Sequence, residues 1–248
     1  MNRKMLVLAG AALGLASIAA AKEAAPSKAK TSAKAPAKPA AKASATSSST
    51  SSAARTAAPK PAPERVISFS RGSMTDSRNG QTYKTVTLGN QTWMAENLNF
   101  EVDGSLCYES RKQGCDDLGR LYEWGGAKKA CPSGWHLPSD DEWKELEDFL
   151  ESPDSAGRIL KSASGWSSGG NGTDRAGFAA IPAGNSDKTG LFNNRGFSTT
   201  FWTSSKKLLG DPWFRRLHFD ETGIARETSE KSYLYSVRCV KDRPKDRR

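Results

Sequence analysis

The sequence predicts an α+β fold: one or two helices packed on short antiparallel sheets, stapled by disulfides and preceded by a disordered arm. Three observations carry this expectation. The run "TVTLGNQTW" has the alternation and the two-residue turn of a hairpin. The run "SDDEWKELEDFL" has a helix-start signature followed by apolar residues at helical spacing. Beyond it come five short apolar or alternating runs separated by Gly, Asn, Asp and Ser clusters. A helix among segregated strands is the α+β pattern, and no internal repeat or coiled-coil period competes with it.

The chain opens as an export signal. Arg3 and Lys4 precede an apolar segment at residues 5–16, and Ala19-Ala20-Ala21 offers a small-residue cleavage site, so residues 1–21 are assigned as a signal peptide. The uncharged run 5–21 is 17 residues, rich in Ala and Gly, and marginal for spanning a bilayer. No transmembrane segment is expected after cleavage. Residues 22–64 are almost wholly Ala, Lys, Pro, Ser and Thr. Such a segment cannot bury enough apolar surface to offset chain entropy and is read as a disordered linker.

Charge is uneven. Of the net +10, residues 1–64 contribute ten basic against two acidic side chains, and residues 241–248 five against two. The intervening body holds 22 basic and 23 acidic residues, so it has no global charge to attract nucleic acid, and no nucleic-acid partner is expected. The evenly spaced lysines of the arm suit anionic cell-envelope polymers, while its composition favours a soluble spacer.

Folded sequence is expected from residue 65 to 242, with a basic tail at 243–248. In the first hairpin, Gly89-Asn90 as the turn pairs Leu88 with Gln91 and Val86 with Trp93. A polar loop carrying Cys107 and Cys115 follows, then "GRLYEWGGAKKA", read as short helical or turn-like. Ser139 is the expected N-cap of the main helix, with Glu142 completing a capping box and Asp140, Asp141 and Glu142 favoured by the helix dipole. Trp143, Leu146, Phe149 and Leu150 form its apolar face, Ser152-Pro153 ends it, and a second short helix is expected around 155–161. "GFAAIPAGN", "TTFWTSS", "WFRRLHFD", "GIARE" and "YLYSVRCV" read as strands, with a turn at 220–223.

Four cysteines in an exported chain imply disulfides, and three pairings are open. Paired short spacings of the zinc type are missing. The preferred pairing is Cys107–Cys115 and Cys131–Cys239. The second closes a loop of 108 residues, worth about 4–5 kcal/mol against about 2–3 for the short loop in the chain-entropy model.

The blocks "TVTLGNQTWMAENLNF", "GRLYEWGGAKKACPSGWHLPSDDEWKELEDF", "GFAAIPAGN", "TTFWTSS" and "SVRCVKD" resemble, in this order, the Fibrobacter succinogenes major paralogous domain family. The likeness covers about 74–242. It implies an exported bacterial protein and a C-type-lectin-like fold, a group that includes the formylglycine-generating enzymes. No defined activity comes with it. The calcium triplets of sugar-binding C-type lectins do not occur here, and the reactive cysteine pair of the formylglycine generators has no counterpart if Cys239 pairs with Cys131.

Site candidates are few. His136 and His218 are the only histidines, and no G-x-S-x-G elbow accompanies them, so both are read as structural or surface residues. The acids of the main helix read as a solvated face plus a cap. Trp93, Trp124, Trp135, Trp143 and Trp202 sit among apolar neighbours and are assigned to the core. Trp166 and Trp213 flank Gly/Ser-rich or Gly-Asp-Pro loops and are the candidates for exposure and ligand stacking, with Asn171 and Asp174 beside the first. Calcium is the only candidate cofactor, at the oxygen-rich loops holding Asn171, Asp174 and Asp187. These readings converge on an exported, non-catalytic binding module, in the extracellular space, on the cell surface or in the periplasm, with polysaccharide or cell-envelope glycan as ligand. The alternatives are a surface structural or interaction protein held electrostatically by its basic arm, and an enzyme like the formylglycine generators, which would need a free thiol.

Overall fold

A computed structural model describes residues 66–150 and 153–244. The expected signal peptide, the linker and all but the first two residues of the basic tail lie outside them, as does Ser152 of the expected helix stop. The described residues belong to one compact unit.

The first strands are β1 (Phe69–Thr75), β2 (Thr82–Leu88) and β3 (Gln91–Met94). The Gly89-Asn90 turn sets the predicted register, with Leu88 opposite Gln91 and Val86 opposite Trp93. β1 pairs with β2 along its whole length. It escapes sequence reading because "FSRGSMT" is an exposed edge strand with little apolar alternation. Then come β4 (Ser105–Cys107), α1 (Lys112–Leu118), β5 (Arg120–Tyr122), α2 (Trp124–Ala130) and β6 (Trp135–His136). The expected polar loop between Cys107 and Cys115 is thus largely helix. Its sequence shows little apolar stripe: Leu118 packs against Tyr108, Leu121 and Leu234, and the Cys107–Cys115 bond supplies the other hold. Gly114 permits the approach: a Cβ there would lie 2.4 Å from the Tyr108 carbonyl oxygen.

The main helix, α3, is Asp140–Phe149, with the capping box fully formed between Ser139 and Glu142. Pro153 opens the next helix, α4 (Pro153–Leu160), a first-turn position where its missing N–H costs nothing. The chain continues through β7 (Ala183–Ser186), β8 (Phe192–Arg195), β9 (Ser198–Lys206), β10 (Pro212–His218), β11 (Ala225–Thr228), β12 (Tyr235–Ser236) and β13 (Val240–Lys241). The described residues therefore hold four α-helices rather than one or two. Only the end of "GFAAIPAGN" is a strand. Residues 174–180 run irregularly, with the Asp174 N–H donating to the Lys161 carbonyl and Ala180 bonded through its backbone to Leu160 and Ser162.

The strands form two sheets. One runs β1-β2-β3-β13-β6; the other runs β11-β10-β9-β12-β5-β4, with β7 and β8 attached. Pairing is antiparallel except where β9 meets β12 and β7, which run parallel to it, so the second sheet is mixed rather than purely antiparallel. Between the sheets and α3 lies an aromatic cluster: Trp93 and Trp143 have ring centroids 4.9 Å apart, with Phe178 and Phe201 packed against Trp143 at 6.0 and 5.6 Å. All four are fully buried, and such rings dominate core energetics.

The C-terminal stretch joins both sheets. β12 lies in the second sheet, and Val240 of β13 pairs with both Trp93 and His136 in the first. Cys239 is bonded to Cys131, 108 residues earlier, immediately before the β6 turn. Replacing Cys131 and Cys239 together by Ala should lower unfolding stability by about 2–5 kcal/mol, and more than the same change at Cys107 and Cys115. Urea unfolding of the two double variants measures the order; an equal or reversed loss would contradict it.

Candidate functional site

A cleft of about 640 Å³ opens between the first sheet and α1. Its walls are Tyr83–Thr85 of β2, the segment 95–99 after β3, the end of α1 at 115–119, and the irregular run 174–181. Arg238, between β12 and β13, forms its floor. Arg238 is 1% exposed, so a charge has been taken out of water. It makes no ion pair with any described residue. Nε donates to Asn97 Oδ1 at 2.9 Å, one terminal nitrogen to the Phe178 carbonyl, and the other to the Ala179 carbonyl at 2.9 Å. The group stacks 4.4 Å from the Phe178 ring centroid. Burial pushes the Arg238 pKa down from the usual arginine value, while Asp174 and then Glu96 pull it back.

The partners are held in turn. Asn97 Nδ2 donates to the Leu118 carbonyl at 2.9 Å, tying the strand exit to α1. Ala179 sits at φ +52°, a left-handed conformation costing about 1–2 kcal/mol for a residue with a Cβ. That conformation accompanies two adjacent carbonyls bonded to one arginine. Asp174 Oδ1 accepts the Ala179 N–H at 2.7 Å and holds the turn. Burial raises the Asp174 pKa, opposed by that N–H and by Arg238 and Arg71. On the rim stand Arg71, Lys84, Glu96, Asp116 and Asp117, so both signs of charge face the opening.

The sequence-predicted residues fall in several places. Asp174 borders the cleft; Trp166, Trp213, Asn171 and Asp187 are not among its lining residues. Trp166 is buried, not exposed: its indole N–H lies between Ser162 Oγ and the Ala180 carbonyl, at 3.1 and 3.2 Å. The Gly/Ser-rich surroundings that read as a surface loop are a tight wrap around the ring. Trp213 is half-buried, with the Arg226 guanidinium 3.5 Å from its ring centroid, so a cation already covers a face. Asn171 Oδ1 accepts the Trp166 N–H, and Asp187 Oδ1 accepts from Thr189 and Leu191 within its own turn. Each calcium candidate thus uses an oxygen for local turn bonds. Among the described residues one three-donor cluster occurs, His218, Asp220 and Glu221. The Lys161 ammonium binds the His218, Phe219 and Glu221 carbonyls of the same turn, which disfavours a second cation there.

The acids of α3 are not all solvated. Asp140 and Glu147 share the face of Trp143 and reach the buried Arg215 at 2.9 and 3.3 Å. Burial raises the Glu147 pKa, with Arg215 opposing. The i, i+3, i+7 spacing of Asp140, Trp143 and Glu147 was the available signal. His136 lies between Asp242 and Glu142, at 2.6 and 2.8 Å. All four cysteine sulfurs are bonded, leaving no free thiol. For Asn97 and Arg238, the clue was a polar residue inside each of the motif blocks "AENLNF" and "SVRCV".

These features define a disulfide-linked α+β domain whose C-terminal strands complete two sheets and present a buried arginine to a cleft of mixed lining. The chain belongs to the Fibrobacter succinogenes major domain family, whose model matches residues 86–241. No curated protein and no solved structure matches the chain.

Two outcomes test this geometry. Arg238→Met removes the donors but leaves three buried acceptors, and should cost about 3 kcal/mol or more in urea unfolding, whereas Arg71→Ala on the rim should stay within about 0.5 kcal/mol. His136 gives a pH dependence. Burial lowers its pKa, but Asp242 and Glu142 outweigh this and hold it above the ordinary 6.5. A raised histidine contributes fully below pH 6.5 and its contribution fades as pH rises through the raised value. Stability should therefore fall by less than about 1 kcal/mol over that window, the group being half exposed, and His136→Gln should flatten the profile.

Proposed function

We propose that this domain is a non-catalytic binding module of an exported protein, with a hydroxyl-rich glycan segment seated in the Arg238 cleft. The observation that carries the reading is the cleft itself: its volume of about 640 Å³ lies within the range of about 300–1,000 Å³ typical of small-molecule sites. Donors and acceptors of both charges face it, which suits neutral hydroxyls better than an ion of one sign. Its walls are locked by the Arg238, Asn97 and Asp174 bonds, so binding would require little reordering.

Export is supported by the form of residues 1–21 and by two disulfides, a bond type that persists in oxidising compartments. No helix among the described residues is long and apolar enough to cross a membrane. A C-type-lectin-like arrangement is the fold-level counterpart of this reading, supported by a long-range disulfide that fastens the closing strand beside the helix start.

Retention of the full chain on insoluble glucan, xylan and isolated envelope polysaccharide is the test. Binding to at least one is expected, with about a tenfold loss on combining Arg71→Ala and Asp117→Ala, two exposed rim changes. Retention on none, or retention indifferent to the rim variant, would refute the cleft as a glycan site.

A further inference from the structure

The tip of the β9–β10 hairpin carries a feature that folding does not need. Leu208 and Leu209 are 92% and 98% exposed, the most exposed of the large apolar side chains among the described residues. They lie in a closed turn: the Lys207 N–H donates to the Asp211 carbonyl at 3.1 Å and the Gly210 N–H to the Lys207 carbonyl at 3.2 Å. Such a turn is built from Gly, Asp or Asn, and two leucines add nothing to its geometry. Left in water they carry an aggregation hazard without a structural return.

What surrounds them identifies the partner. Lys206 and Lys207 immediately precede the leucines and are exposed. At the base of the hairpin the Lys207 ammonium lies 5.2 Å from the Trp213 ring centroid. The buried Trp124 donates its indole N–H to the Thr203 carbonyl of β9 at 2.8 Å, and the exposed Lys128 and Lys231 ammonium groups lie 4.0 and 5.7 Å from its ring centroid. Of the acidic groups near this collar, Asp140 is engaged by Arg215 and Arg226, Glu227 by Arg216 and Glu230 by Lys188, while the exposed Glu123 and Asp141 make no ion pair with a described residue. Asp211 remains at the tip. From the tip inward the order is therefore aliphatic, then lysine. A bilayer presents the complementary order, acyl chains beneath anionic headgroups.

We propose that this hairpin tip docks reversibly on an anionic phospholipid surface, Leu208 and Leu209 entering the acyl boundary and Lys206 and Lys207 meeting the phosphates. The contact is separate from the cleft and does not rest on its ligand. Two leucines and a few lysines give weak, reversible attachment, not an anchor.

The test uses the full chain with vesicles of phosphatidylglycerol and phosphatidylethanolamine, and with vesicles of phosphatidylcholine alone. Co-sedimentation is expected with the anionic vesicles, weakened about tenfold or more by Leu208→Ser with Leu209→Ser. Both positions are exposed, and circular dichroism checks the fold of the variant. The lysines of residues 22–64 could hold the chain to the same vesicles by charge alone, so a second readout follows the tip. All four native cysteines are bonded, so Leu209→Cys supplies the single free thiol for a polarity-sensitive fluorophore. A blue shift on the anionic vesicles supports insertion. No sedimentation of the parent chain, or no blue shift at the labelled tip, would each overturn the proposal.

Discussion

A guanidinium sealed from water must be met by oxygen, and here the oxygens come from two distant stretches of chain. Arg238 is held by Asn97, which follows the first hairpin, and by the carbonyls of residues 178 and 179 in the irregular core run. Neither stretch is regular secondary structure, and both line the cleft. The arginine thus shapes the walls by demanding acceptors at fixed places, and Ala179 adopts a left-handed backbone in the same arrangement. Removing the charge would release the walls as well as the floor.

A second buried arginine works in the same manner on the opposite side of the core. Arg215 of β10 is met by Asp140 and Glu147 of α3, so the helix is seated by its apolar residues and by two acids one heptad apart. Gln91 adds a third tie, donating to the Glu142 carbonyl while accepting the Trp93 indole N–H. The aromatic cluster supplies the bulk of the burial, and these polar contacts fix the angle at which α3 lies across it.

The parts legible in the sequence are those whose cause is local. The capping box at Ser139 and Glu142 and the Gly89-Asn90 turn rest on residues within a few positions of one another, and both form. The preferred pairing of the four sulfurs also forms, although its long bond joins residues 108 positions apart and loop length alone did not choose it. What was not legible depends on distant partners. α1 has little apolar stripe and is held by Leu118 and a disulfide; β1 is polar and needs β2 beside it. Trp166 stands in a Gly/Ser-rich stretch that looks like surface until Ser162 and Ala180 close on its ring. Likewise Arg238 reads as an ordinary strand arginine, and only the fold shows that it points inward to a cleft. Of the residues singled out as ligand contacts, Asp174 alone lines that cleft, because its acceptors serve the turn that forms one wall.

The double duty of residues 235–241 bears on how the chain reaches this state. Ser236 pairs across the second sheet and Val240 stands between two strands of the first, so neither strand order is complete until both have been made. The Asn97–Arg238 bond spans 141 positions. A domain dominated by such non-local pairings has a high contact order and folds in milliseconds to seconds rather than microseconds. During synthesis the earlier strands must wait with open edges, and the nascent chain stays collapsible but unfinished until its far end arrives.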